Sequence, residues 1–173
     1  MTVHKIETQL PQDGQGFRRY KSTITAWGRW YTVQFIQRLS KAWIEAHPGG
    51  PRLQIGDISI KGGGRCPNGR HTNDGQPLYH KSHDKGIDFD VQIIRGDGRE
   101  GVRSVTIDDP STHPLTRQLV QLICALAPDG AGDGVKLEKI LTANPSVLVG
   151  EGVNPKQIRL EKTHRYHLHV RLK

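Results

Sequence analysis

The stretch HLHVRL, residues 167–172, alternates apolar and polar side chains and reads as a strand. Successive side chains on a strand point to opposite faces, so Leu168, Val170 and Leu172 face a core while His167, His169 and Arg171 share the other side. A second stretch, IDFDVQII at 87–94, has the same design, with Ile87, Phe89 and Val91 on one face and Asp88, Asp90 and Gln92 on the other. If the two strands are neighbours in one sheet, His83, Asp90, His167 and His169 converge above it. Imidazole nitrogen and carboxylate oxygen both bind zinc, and three protein ligands leave a fourth position open for water. A lone H-x-H, or a histidine followed seven places on by an aspartate, is a cheap match. The concentration is not: five of the nine histidines (80, 83, 164, 167 and 169) fall in two short windows, each joined to an alternating strand. Solvated surface histidines are the bland alternative.

The rest of the chain suggests a loop-rich α+β protein in a single domain spanning 1–173. Its length suits one core, and 20 glycines and 10 prolines argue against a helical bundle. WYTVQFIQRLSKAWIEAH reads as a helix from Trp30, with Val33, Ile36, Leu39 and Trp43 as its apolar stripe and HPGGP as its stop. A second helix is expected from Pro114 to Ala127, presenting Leu115, Leu119, Leu122 or Ile123, and Leu126. LQIGDISI suggests a short strand, KLEKIL a strand or short helix, and QIRLEK with HRYHLHVRLK a strand, a turn and a strand. Residues 1–25 are polar and turn-rich and are expected to wrap the surface. KGGGRCPNGRHTNDGQP, 61–77, is too polar for a core and reads as a long loop beside a site. Helices and strands lie in separate blocks, the pattern of an α+β fold.

A net charge of +8 calls for an anionic partner, whether nucleic acid, anionic lipid or cell-wall polymer, or simply marks a solvated basic surface. No apolar run reaches the length of a membrane span. The opening MTVHKIETQLPQDGQG has no apolar signal region, so synthesis in the cytoplasm and delivery by another route are expected. Two cysteines are too few for a disulfide scaffold or thiolate zinc finger. Cys124, in LVQLICALA, reads as a core thiol and Cys66, in the glycine-rich loop, as exposed; whether they pair is open.

HKSHDKGIDFDV at 80–91 together with HRYHLHVRL at 164–172 resembles the penicillin-insensitive murein endopeptidases, relatives of lysostaphin-type enzymes, D-Ala-D-Ala carboxypeptidases and hedgehog domains. LPQDGQGF, WGRW and GDIS fit the same family. The resemblance implies a small, mainly antiparallel sheet with flanking helices and long loops. It implies Zn2+ held by His83, Asp90 and His169, with His167 assisting the chemistry and His80 and His164 lining the site. Asp88 either orients a ligand imidazole or is an exposed carboxylate, and Ser82 serves a turn or the site. Arg65 and Arg70 either grip an acidic peptide or are solvated. The implied substrate is peptidoglycan, cut at the D-alanyl–diaminopimelate cross-link, and the implied setting is a phage-type lysin or delivered effector acting at the cell wall as a monomer. The polar run between the glycines at 62–64 and His80 is longer than is usual in the family.

The chemistry expected of such a site is amide hydrolysis, zinc activating water and polarising the carbonyl while His167 moves a proton to the leaving amine. The alternatives are a metal-containing cell-wall-binding module without turnover and a metal-dependent nuclease. No nucleic-acid partner is expected, because no phosphate-cradling helix start or aromatic stacking motif is present. His4, His47, His71 and His113 have no motif company and read as surface.

Overall fold

The computed structural model describes residues 6–80, 82–101, 105–128 and 134–173. Its elements in chain order are β1 (Thr8–Gln9), β2 (Asp13–Gly14), β3 (Phe17–Arg19), β4 (Trp27–Gly28), α1 (Trp30–Ala46) and β5 (Leu53–Ile55). There follow β6 (Pro67–His71), β7 (Pro77–Tyr79), β8 (Asp88–Gln92), α2 (His113–Leu126), β9 (Leu137–Thr142), β10 (Ile158–Leu160) and β11 (His167–Leu172). Seven strands form one sheet in the order β10-β9-β11-β8-β5-β3-β2, while β1 pairs with β4 and β6 with β7 in separate two-stranded ribbons. Only the β9–β10 and β3–β5 pairs of the main sheet are parallel. This is the mainly antiparallel α+β architecture expected.

The apolar stripes decide the layering. Val33, Ile36, Leu39 and Trp43 of α1 are buried as their spacing requires, and Phe35 joins them. The Trp43 indole N–H donates to the Pro51 carbonyl at 2.8 Å, which fastens the chain just beyond the helix. On α2 the buried face is Thr116, Leu119, Val120, Ile123 and Cys124, with Leu115, Leu122 and Leu126 only partly covered, so the helix is turned slightly from the expected stripe. Both helices share one core with Phe89 and Val91 of β8 and with Leu168, Val170 and Leu172 of β11. The Phe35 and Phe89 rings lie 6.1 Å apart. Each such side chain withdrawn from water contributes about 1.5–3 kcal/mol, and together they fix which face of β8 and β11 turns towards the helices. Alternation then forces Asp88, Asp90, His167, His169 and Arg171 onto the opposite face.

Three expectations need correction. The first 25 residues do more than wrap the surface: β3 is a strand of the main sheet, and Leu10 and Phe17 are core residues. The run 61–77 contains β6 and ends at Pro77, the first residue of β7, so it is most of a hairpin rather than an unstructured loop. Cys66 is completely buried instead of exposed. All five residues of β8 are buried, those of its polar face included.

Candidate metal centre and its cleft

Strands β8 and β11 run antiparallel with His169 directly opposite Asp90 and Arg171 opposite Asp88. Cross-strand partners in this arrangement have Cβ atoms about 4.5–5.5 Å apart, close enough for these side chains to touch. The His169 Nδ1 lies 3.0 Å from Asp90 Oδ1, and its Nε2 lies 3.0 Å from Asp88 Oδ1. His83 arrives from the loop before β8 and brings its Nε2 to 3.3 Å from the same Asp90 Oδ1. One donor atom from each of His83, Asp90 and His169 thus falls within 4.8 Å of the other two, a buried cluster that could hold a metal ion.

The His83 backbone is unusual. Its φ of 68° is the only positive value at a non-glycine position among the described residues. An L-residue enters this region at a cost, and histidine tolerates it better than most. Three contacts hold it there. Its Nδ1 meets the Ile58 carbonyl at 2.9 Å, its backbone N–H points to Asp88 Oδ2 at 3.4 Å, and Gly86 (φ 64°) lets the loop close against Ile6 and Arg29. A Cβ at Gly86 would come within 2.9 Å of Ile6 Cγ1.

Asp88 is a hub. It accepts from His169, from the His83 backbone and from Arg171, whose Nε stands 2.6 Å from Oδ1. Burial opposes ionisation of its carboxyl, yet the His169 and Arg171 hydrogen bonds bring its pKa down to about 2. Asp90 is likewise pushed up by burial but held well below its ordinary value by the His83 and His167 charges and the His169 hydrogen bond. Burial would lower the His169 pKa; hydrogen bonds to Asp88 and Asp90 outweigh it and raise the value to about 9. The ring thus stands between two carboxylates with both nitrogens in contact, surroundings that favour a cation.

The remaining histidines extend the cluster into a contiguous array. His80 and His83 have ring centroids 4.9 Å apart, His83 and His169 4.6 Å, His169 and His164 5.5 Å, and His164 and His167 4.8 Å. His167 Nε2 stands 3.7 Å from Asp90 Oδ2. His164 is held down to about 4 by burial and by its neighbours His167 and His169. All but His83, which lies behind it, line a cleft of about 540 Å³ that also takes in Asp90 and Ser82. Asp88 lies beneath the cleft, fully buried, so the reading of it as an exposed carboxylate does not hold.

Asp57 escaped the sequence reading. It is buried beside the cleft, with its Oδ2 3.2 Å from His80 Nε2 and 3.4 Å from Lys21 Nζ. A single aspartate in a GDIS turn has no periodicity or motif spacing to announce it. Tyr20, Asn68, Tyr79, Lys139 and Glu161 also line the cleft and were equally silent. Of the outlying histidines, His47, His71 and His113 lie outside it. His47 stacks on Trp43 at 3.8 Å and His113 reaches the Ile107 carbonyl, so both are half-buried structural residues rather than surface ones. His71 is exposed, and His4 lies outside the described residues.

An open cleft beside a buried His–Asp–His cluster, on the polar face of a mainly antiparallel sheet, is the layout of a candidate metallohydrolase centre. Residues 5–120 match the family described as penicillin-insensitive murein endopeptidase. The chain belongs to that family, whose members act on peptidoglycan. A search of curated proteins finds no match. The matched span contains His83 and Asp90 but stops short of His169, which the fold supplies from its last strand. Among the described residues no helix is long and apolar enough to cross a membrane.

Proposed function

We propose that this protein is a zinc-dependent endopeptidase that hydrolyses D-alanyl–diaminopimelate cross-links in peptidoglycan. The observation that carries the reading is the convergence of His83, Asp90 and His169, two of which line an open cleft, in a chain of the murein endopeptidase family. The donor set suits zinc: two imidazole nitrogens and one carboxylate oxygen match a borderline ion, whereas calcium and magnesium prefer oxygen ligands throughout. The outer nitrogens are already committed, His83 Nδ1 to the Ile58 carbonyl and His169 Nε2 to Asp88, which leaves His83 Nε2 and His169 Nδ1 for the ion. A zinc ion held there would supply Lewis acidity and lower the pKa of water towards neutrality.

In this reading the chain's other residues bind, orient and move protons. Asp88 fixes the His169 ring and offsets the charge of Arg171. His167, half-buried and beside Asp90, carries the proton between the attacking water and the leaving amine. His164, kept neutral at pH 7, offers a hydrogen bond without adding positive charge. His80 stands behind the first ligand, and Ser82 lines the cleft where substrate lies. The functional unit is the whole of 1–173, because ligands come from both halves, and the cleft needs no second copy, so a monomer suffices. A net charge of +8 suits an anionic wall reached by a phage-type lysin or delivered effector, with antimicrobial action as the consequence.

Mass analysis of peptides released from purified sacculi tests the proposal. Cross-linked dimers should be converted to monomers, a chelator should stop the conversion, and zinc should restore it. Release that persists after exhaustive chelation would remove the metal, and intact dimers after zinc loading would leave a wall-binding module.

A further inference from the structure

The hairpin formed by β6 and β7 is anchored at its base and carries on β6 a cation, Arg70, that has no counter-charge among the described residues. Cys66, which precedes β6, is completely buried, and the His80 backbone N–H after β7 donates to its carbonyl at 2.9 Å. The His80 ring is in turn tied to Asp57, a carboxylate only 3% exposed. Burying a charge is costly unless it is paired, and Asp57 is paired twice, with His80 and Lys21. The base of the hairpin is therefore fixed to the same wall that carries the candidate metal ligands.

From that base the ribbon presents one face to the cleft. The β6–β7 register shifts between Pro67 and His71, and within that stretch Asn68 and Arg70 both line the cleft, together with Tyr79 of β7. Arg65 lies over the Tyr79 ring, 5.4 Å from its centroid, which holds the aromatic wall in place. Asn68 Oδ1 accepts from the Arg70 backbone N–H at 2.8 Å. The other cations at the cleft already have acidic neighbours: Lys21 has Asp57, Arg171 has Asp88, and Lys139 has Glu138 at 3.8 Å. Among the described residues the Arg70 guanidinium forms no ion pair.

We propose that the hairpin is a substrate wall and that Arg70 is its specificity-determining residue, binding the carboxylate that stands beside the scissile amide. This rests on the peptidoglycan reading above. Diaminopimelate carries a carboxylate on the same carbon as the amine acylated in the cross-link, so an endopeptidase of this kind meets a carboxylate two bonds from the amide nitrogen it releases. A planar guanidinium with several donors matches a carboxylate in two-point geometry, which a lysine cannot reproduce.

The test uses the zinc-loaded full chain and two cross-linked muropeptides, one with that carboxylate free and one with it converted to a carboxamide. Wild-type protein should prefer the free acid by roughly tenfold or more in kcat/KM, as expected for a charge-assisted hydrogen bond. Arg70→Ala should abolish the preference, chiefly by raising KM for the free acid, and Arg70→Lys should restore it only in part. A preference that survives in Arg70→Ala overturns the proposal, as does equal use of both peptides by the wild type. If wild-type protein cleaves neither, the peptidase reading fails. Binding isotherms of the two uncleaved peptides then decide the hairpin separately: tighter binding of the free acid, lost in Arg70→Ala, supports it, and equal binding overturns it.

Discussion

At the scale of single residues, the site divides into groups that hold a cation and groups that handle protons, and substitution separates them. His83→Ala or Asp90→Ala removes one of three converging donors, so both metal retention and hydrolysis of sacculi should be lost. Elemental analysis after dialysis, run beside the activity assay, checks both; a variant that keeps a full equivalent of metal refutes the ligand assignment. His167 differs in standing 3.7 Å from Asp90 rather than within the cluster, and its ring is partly open to the cleft. His167→Ala should retain metal while turnover falls roughly 10²- to 10⁴-fold, the usual scale for a general acid–base group. Loss of the metal in this variant would make His167 a ligand. The φ of 68° at His83 adds a local expectation for the loop. Gly86→Ala, which brings a Cβ against Ile6 and the Arg29 backbone, should weaken metal binding without touching a donor atom.

Secondary-structure elements are where sequence and structure can be compared most directly. Strands β8 and β11 were legible because their alternation is uninterrupted, and α1 because four apolar residues repeat at helical spacing. Their pairing was a conditional reading, and the register that sets His169 against Asp90 answers it. The hairpin was not legible. Its first strand, PNGRH, has no apolar residue to alternate and its second, PLY, is too short to show a period of two. Leu10 and Phe17 were missed as core because isolated apolar residues among turn formers carry no periodicity. Asp57 was missed because its role depends on His80 and Lys21, far away in sequence. The β8–β11 pair also makes its own prediction. Asp88 ties both strands to the His83 backbone, so Asp88→Asn should weaken zinc affinity roughly 10- to 100-fold, as loss of an outer partner commonly does. Competition with a chromogenic chelator measures it, and unchanged affinity would reduce Asp88 to a packing role. At the hairpin's base, burial pushes the Cys66 thiol up to about 12, so it stays protonated through pH 9. Because the thiolate is the reactive form, native protein should resist alkylation there at pH 8–9 and label at both cysteines only once unfolded.

For the whole molecule, a metal bound as proposed is a cross-link between distant parts of one chain, and that has thermodynamic consequences beyond catalysis. His83 and Asp90 lie near the middle of the chain and His169 on the last strand, so the ion binds the folded chain far better than the unfolded one. Free zinc at about 100 times its dissociation constant should then stabilise the fold by about 2.7 kcal/mol, from mass action alone. In a protein of this size each kcal/mol moves the melting temperature by roughly 2–4 °C, so chelation should lower Tm by about 5–10 °C. The fold itself should survive chelation. Its core of helix stripes and strand faces lies on the other side of β8 and β11 and contains none of the proposed ligands. Scanning calorimetry with and without a chelator, followed by zinc replacement, measures the shift. Asp90→Ala serves as the control, because its Tm should no longer respond to zinc. An equal zinc-dependent shift in Asp90→Ala would mean that the ion stabilises the protein somewhere other than the cleft.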